Sequence, residues 1–351
     1  MDEVWSARDT TPGAIEAALR ELLKQRHQEN EAYAPARVLN LVVIADADFR
    51  GEVENRLERV GRYHPSRTVV CAVEPGRTTM DAWASMACDI DPQPGSLAVC
   101  REQVELKLGP GHLRTLHTVV GSLLVSDLAT LVWSPHGYAE AVDALSRLAQ
   151  VVLIDSLDEP DVGASLSRAE ELAGRAYVVD LAWLRSTPWR ERIAATFDPP
   201  AWRRSLQEIS SVTVRHRHDS AAAGVLFLGW LYSRLGWRSA ELSAGRAGEL
   251  SGRARARRGE VAIRLEPVAQ QGAPGLGGVT VQTASGGEVS LDRSAGGLRA
   301  VKRRPRGETA EWTLLGASRG ESGILGEGVR QALLRDPTYR PALAAARAMV
   351  A

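Results

Sequence analysis

Arg37 to Asp48 reads RVLNLVVIADAD. Val38 to Ile44 is an almost unbroken apolar run, the pattern of a strand buried on both faces. Apolar residues at Val53, Leu57 and Val60 then follow at helical spacing. GRYHPSR at Gly61–Arg67 leads into a second apolar run, TVVCAV at Thr68–Val73. Strand, helix and strand in this succession call for a mostly parallel sheet with helices on both faces.

The pattern continues in both directions. Upstream, PGAIEAALRELLKQRHQ places Ile15, Ala18, Leu19, Leu22 and Leu23 on one stripe, an amphipathic helix with Pro12 in its first turn. Downstream, Leu97–Leu108 reads as a strand, Leu113–Leu124 as a helix, Ala129–Trp133 as a strand, Tyr138–Leu148 as a helix and Val151–Ile154 as a strand. This α/β domain is expected over residues 1–200. Residues 201–351 read as an α+β domain. It holds a strand at Val212–Arg215, an apolar helix at Ala221–Leu235, and an antiparallel meander. The meander strands are Glu260–Val268, Gly278–Thr283, Glu288–Arg293 and Leu298–Lys302, with Gly286-Gly287 as a hairpin turn. Trp312–Leu315 is a last strand, and two helices close the chain.

The 351 residues carry 43 Lys plus Arg against 43 Asp plus Glu, so no overall charge favours nucleic acid or an anionic membrane. The longest apolar run, Ala221–Leu231, falls short of the roughly 20 residues a bilayer span requires. The polar start MDEVWSARDT does not read as a signal peptide. Three cysteines, Cys71, Cys88 and Cys100, with no CxxC argue against a disulfide framework and a zinc ribbon, and for a reducing cytoplasm.

Candidate chemistry is sparse. Gly316-Ala317-Ser318-Arg319-Gly320 has the GxSxG form of a nucleophile elbow, but no histidine follows His218 to act as its base. Gly320–Gly328 reads as a flexible glycine-rich entry to a helix, and ADADFRG after the first strand has no GxGxxG, so no cofactor is expected. His112, His117, His216 and His218 lack metal-ligand spacing and read as exposed polar residues. Asp46, Asp48, Glu74, His136 and Asp155 fall at the carboxyl ends of strands, where an α/β sheet places its ligands. They carry the alternative reading, an enzyme acting on a phosphorylated sugar or nucleotide. The basic runs Arg253–Arg258 and Lys302–Arg306 have no interleaved aromatics and read as solvated loops.

The densest recognition chemistry lies in DLAWLRSTPWRERIAATFD, Asp180–Asp198. It gathers Trp183, Trp189, Arg185 and Arg190, the residue types enriched at interface hot spots. One tryptophan packing inward while Trp189 and Arg190 face a partner is one reading. Both tryptophans welding the two domains together is the other.

Four islands, taken together, carry a family resemblance. They are RVLNLVVIAD with HPSRTVV; LVSDLATLVWSP at Leu124–Pro135; VVLIDS with the Asp180–Asp198 run; and GWLYSRLGW at Gly229–Trp237. In order and spacing they resemble the glucose-6-phosphate dehydrogenase assembly protein family, OpcA. The resemblance implies a bacterial, cytoplasmic, non-enzymatic protein. Its partner would be glucose-6-phosphate dehydrogenase, whose active oligomer it promotes, with neither nucleic acid nor membrane involved. The partner-binding candidates on these islands are Tyr63, His64, Ser66, Arg67, Trp183, Arg185, Trp189, Arg190, Trp230, Arg234 and Trp237.

Overall fold

The computed structural model describes residues 3–29, 33–35, 37–61, 64–88, 98–238, 241–305, 307–315 and 321–350. Contacts divide the chain into two compact units. The first comprises Met1–Ile154, Arg175–Val179 and Leu325–Leu334; the second comprises Asp155–Gly174, Asp180–Ile324 and Arg335–Ala351. This differs from a single boundary at residue 200.

The first unit runs β1 (Glu3–Ala7), α1 (Pro12–Glu29), β2 (Tyr33–Pro35), β3 (Leu39–Asp46), α2 (Arg50–Gly61), β4 (Ser66–Val73), β5 (Asp81–Cys88) and β6 (Ala98–Leu108). It continues through α3 (Leu116–Leu123), β7 (Thr130–Trp133), α4 (Ala139–Leu145), β8 (Val151–Ile154) and β9 (Tyr177–Asp180). The strands form one sheet in the order β1-β5-β6-β4-β3-β7-β8-β9, with β2 paired to β6. β6, β4, β3, β7 and β8 are parallel; β5 and β1 extend the β6 side as an antiparallel edge. Leu39–Ala45 of β3 are all buried, as a central strand covered on both faces must be.

One strand here, β5, escapes a reading of apolar contrast. In β5 the inward positions are Ala82, Ala84 and Met86, so small residues carry the alternation. β5 and β6 also bring Cys88 opposite Cys100, and the two form a disulfide. This corrects the expectation drawn from the cysteine count, because strand pairing rather than sequence spacing creates the approach. Cys71 remains a free, buried thiol, pushed up to about 12 by burial.

The second unit holds α5 (Val162–Ala173), α6 (Leu181–Arg185), α7 (Thr187–Phe197), α8 (Pro200–Arg203), β10 (Ile209–Arg217), α9 (Ala221–Leu235) and β11 (Ser243–Ala244). Then come β12 (Leu250–Ala256), β13 (Gly259–Val268), β14 (Leu276–Thr283), β15 (Glu288–Ser294), β16 (Gly297–Arg303), β17 (Thr309–Leu315) and, after α10 (Glu321–Leu334), most of which belongs to the first unit, α11 (Tyr339–Arg347). The sheet order is β11-β12-β13-β10-β14-β15-β16-β17, antiparallel throughout except for the β10–β13 pair. α11 packs on α5 and α9, which draws Asp155–Gly174 into this unit.

Val261, Ile263 and Leu265 of β13 are buried while Glu260, Ala262 and Arg264 are exposed, so the sheet has one packed and one outward face. α9 lies against the packed face: a Cβ on Gly224 would touch Leu265, His216 and Val214. At the other contact of α9, a Cβ on Gly229 would lie 2.2 Å from the Ala342 carbonyl oxygen of α11, so only glycine allows the two helices to approach this closely. Among the described residues no helix is long and apolar enough to cross a membrane.

Several expectations are corrected. Arg253 and Arg255 lie in β12, not in a loop; Gly252 and Ala254 supply a two-residue alternation too weak to read. Gly323, Gly326 and Gly328 lie within α10 rather than before it. His216 is buried on β10 and bonded through Nδ1 to the Arg217 carbonyl at 2.7 Å, and burial lowers its pKa. The GxSxG segment with Ser318 lies outside the described residues.

Candidate functional site

The motif residues of the second unit converge on one buried network. Asp180 caps α6 and is 1% exposed. It accepts hydrogen bonds from Ser156 N–H (3.1 Å), Ser156 Oγ (2.6 Å), Ala182 N–H (2.9 Å) and Tyr339 OH (3.1 Å). Burial raises its pKa to about 6 despite these donors. Asp155, beside Ser156, lies 2.7 Å from Arg185 Nη1. The IDS tripeptide and the DLAWLR run are thus two strands of text from one structure.

Trp183 and Trp189 are each 2% exposed. Trp183 Nε1 donates to Asp336 at 2.8 Å, its ring meets that of Tyr339 at 5.6 Å, and the Arg190 guanidinium lies over it at 3.6 Å. Arg190 is 8% exposed and donates to Ser186 Oγ at 3.0 Å and Thr187 Oγ1 at 2.9 Å. Burial lowers its pKa to about 10, so it stays charged at neutral pH. Asp336 is held below the usual carboxylate range: burial opposes this, but bonds from Thr338 and Trp183 and the Arg190 charge outweigh it. The reading in which Trp189 and Arg190 face outward is therefore corrected. Both tryptophans are core residues, and the arginines neutralise acids that folding buries.

The HPSR island is consumed in the same way. Ser66 and Arg67 are buried at the start of β4. Arg67 donates to Glu102 (2.8 Å), Glu16 (2.6 Å) and the Leu123 carbonyl (2.9 Å), tying β4 to β6, α1 and α3. Burial works against Glu102 ionising, but bonds from Arg37 and Arg67 prevail and lower its pKa. His64 is half-buried, and burial followed by the Arg330 charge lowers its pKa. Tyr63 lies outside the described residues.

In the fourth island, Gly236 at φ +66° ends α9, and its N–H bonds the Tyr232 carbonyl. Trp237 is buried edge-on to Tyr232 at 5.5 Å. Trp230 is half-buried against Phe227 at 5.5 Å, and Arg234 is exposed.

Two sequence-family models cover most of the chain. Residues 57–171 match the glucose-6-phosphate dehydrogenase subunit N-terminal domain, and residues 176–343 match the corresponding C-terminal domain. The chain belongs to the OpcA family. The OxPP cycle protein OpcA of Synechococcus elongatus is 28% identical over 200 residues, 56% of this chain and 44% of that protein. That of Nostoc punctiforme is 31% identical over 161 residues, 45% of this chain and 35% of its own length. These matches span less than half of either OpcA relative. An oxidoreductase domain protein from Kribbella flavida aligns over 89% of this chain and 95% of its own at 15% identity and a TM-score of 0.47, too loose a likeness to carry an argument.

The strand-end residues do not assemble into one set in this OpcA chain. Asp46 and His136 meet at the carboxyl ends of β3 and β7, where Asp46 N–H donates to His136 Nδ1 at 2.9 Å and Tyr138 OH donates to the Asp46 carboxylate. The His136 ring contacts Phe49 at 5.0 Å. Glu74 instead pairs with Arg77 at 2.6 Å. Asp155 belongs to the other unit and pairs with Arg185.

Proposed function

We propose that the chain works without catalysis, as a cytoplasmic assembly factor that binds glucose-6-phosphate dehydrogenase. It favours the active oligomer of that enzyme and raises its activity in the oxidative pentose phosphate pathway. The observation that carries this reading is the match of both halves to domains described as parts of a dehydrogenase subunit. The fate of the motif arginines and tryptophans supports it indirectly: they hold a scaffold together and address no substrate. A protein partner suits the chain better than nucleic acid, since 43 Lys plus Arg are balanced by 43 Asp plus Glu. The outward island residues Trp230, Arg234 and His64 are the remaining contact candidates.

The test mixes the purified chain with glucose-6-phosphate dehydrogenase of the same organism. Light scattering after size exclusion should give a heavier complex, and initial rates should rise on addition of the chain. Separate elution with unchanged rates would sink the proposal. NADP reduction by a preparation free of dehydrogenase would turn it toward an enzyme.

A further inference from the structure

A cavity of about 440 Å³ opens in the first unit, on the sheet face carried by β1, β5 and β6 with α2 along its flank. That volume lies within the range of small-molecule sites. Strand register builds its walls. Trp83 stands opposite Glu105, and Asp81 opposite Lys107, across the β5–β6 pair. Directly opposed residues share a face, and residues two apart along a strand do so too. Trp83, Glu105 and Lys107 therefore line the same side, and Arg50 and Glu54 of α2 close it. Arg8, just past β1, stands at the rim.

The charges in the cavity are unequally engaged. Glu54 takes Arg50 Nε at 2.9 Å. Asp81 takes Arg77 at 2.9 Å and the Asp9 N–H at 3.0 Å. Glu105, 3% exposed, accepts one bond, from Arg50 Nη1 at 3.1 Å. Its Oε2 accepts none among the described residues. Burial raises its pKa, which weakens its claim as a counter-charge. Arg8 and Lys107 form no ion pair among the described residues. The cavity thus offers an indole wall, a carboxyl oxygen that no described donor meets, and two cations, Arg8 beside Asp81 and Lys107 beside Glu105, that form no ion pair among the described residues.

We propose that this cavity binds a phosphorylated ring metabolite. The ring lies on Trp83, a hydroxyl or amino group donates to Glu105, and the phosphate sits between Arg8 and Lys107. A ring without phosphate leaves both cations unmatched; a phosphate without a ring leaves Trp83 and Glu105 unused. Sugar phosphates and nucleotides share this chemistry, and the choice of probe separates them.

Calorimetric titration of the full chain tests the proposal with a hexose 6-phosphate, adenosine monophosphate, the free hexose and inorganic phosphate. One of the two phosphorylated rings should bind with a Kd below about 1 mM, and the free hexose and inorganic phosphate at least roughly tenfold more weakly. Binding by the hexose phosphate assigns a sugar site, and binding by the nucleotide assigns a base site. Arg8→Ala and Lys107→Ala should each weaken that ligand by roughly tenfold. Arg8 is exposed, so its variant keeps the fold, and exposed Arg114→Ala is the matched control that should change nothing. The proposal fails if neither phosphorylated ring binds by about 10 mM. It fails equally if inorganic phosphate binds as tightly as the rings, or if Arg8→Ala and Lys107→Ala both leave affinity unchanged.

Discussion

The Trp183 cluster of the second unit and the Trp83 cavity of the first use the same residue types to opposite ends. Each brings together a tryptophan, arginines and a buried carboxylate. Around Trp183 the inventory closes on itself: Arg190 covers the ring, Asp336 takes the indole N–H, and Asp180 is bonded by Ser156, Ala182 and Tyr339. Around Trp83 it stays open: among the described residues Lys107 and Arg8 form no ion pair, and Glu105 holds one bond. Enrichment in tryptophan and arginine marks places where much energy is concentrated. Whether the energy serves folding or binding depends on which groups still lack partners.

The comparison breaks most readily at Trp183. A closed cluster makes it structural, so Trp183→Ala should cost about 3–5 kcal/mol of stability, because it opens a cavity and leaves Asp336 and Arg190 without their shared ring. Chemical denaturation measures this directly. A folded Trp183→Ala protein of normal stability that has lost dehydrogenase binding would reverse the assignment.

Asp180 sharpens it through pH. Its folded pKa of about 6 lies above the ordinary 3.8, so the native state holds the proton more tightly than the unfolded chain. The stabilisation from protonation is complete below about pH 4 and is lost as pH rises through 6, a change of roughly 3 kcal/mol. Asp180→Asn cannot ionise and should lack that slope. Denaturation midpoints at several pH values check it, and parallel curves for the two proteins would contradict it.

In the same β5–β6 pair, the Cys88–Cys100 disulfide closes a short loop, with a sequence separation of 12. Cys88→Ala should lose about 2–3 kcal/mol in oxidising buffer. In reductant the variant and the unaltered protein should converge. A gap that persists in dithiothreitol would mean the residue acts through packing.

Much of the fold was legible, and the reason is particular. Val38–Ile44 and Thr68–Val73 are apolar at every position because both faces of their strands are covered. β5 and β12 were missed because Ala82, Ala84, Gly252 and Ala254 fill their inward positions and give little contrast with their neighbours. The disulfide was missed because pairing of β5 with β6, not spacing, brings the cysteines together. The islands marked residues that the fold brings together, but a sequence does not say what such residues hold. Arg190 finds Asp336 and Trp183 finds Tyr339 from about 150 residues away. The cavity wall is scattered from Arg8 to Lys107 and formed no motif. Its function lies in register, which one strand's sequence does not encode.

The smallest stability effect is expected at Arg234, where the comparison can be settled for the family islands themselves. Arg234 is exposed in the last turn of α9, with Trp230 half-buried one turn earlier. Residues four apart share a helix face, so the pair forms a continuous patch of cation and indole beside an otherwise buried helix. Removal of an exposed arginine that no described carboxylate holds should change stability by about 0.5 kcal/mol or less. A rim contact would cost roughly 1 kcal/mol of dehydrogenase affinity, about fivefold. Its salt dependence would weaken as well, since one charge has left the encounter. Titration of Arg234→Ala against the dehydrogenase at two ionic strengths, beside a melting curve, separates these quantities. An affinity and salt response equal to those of the unaltered chain would leave only His64 and Trp230 of the described partner-binding candidates, and would move the search for the partner surface onto the outward sheet face of the second unit.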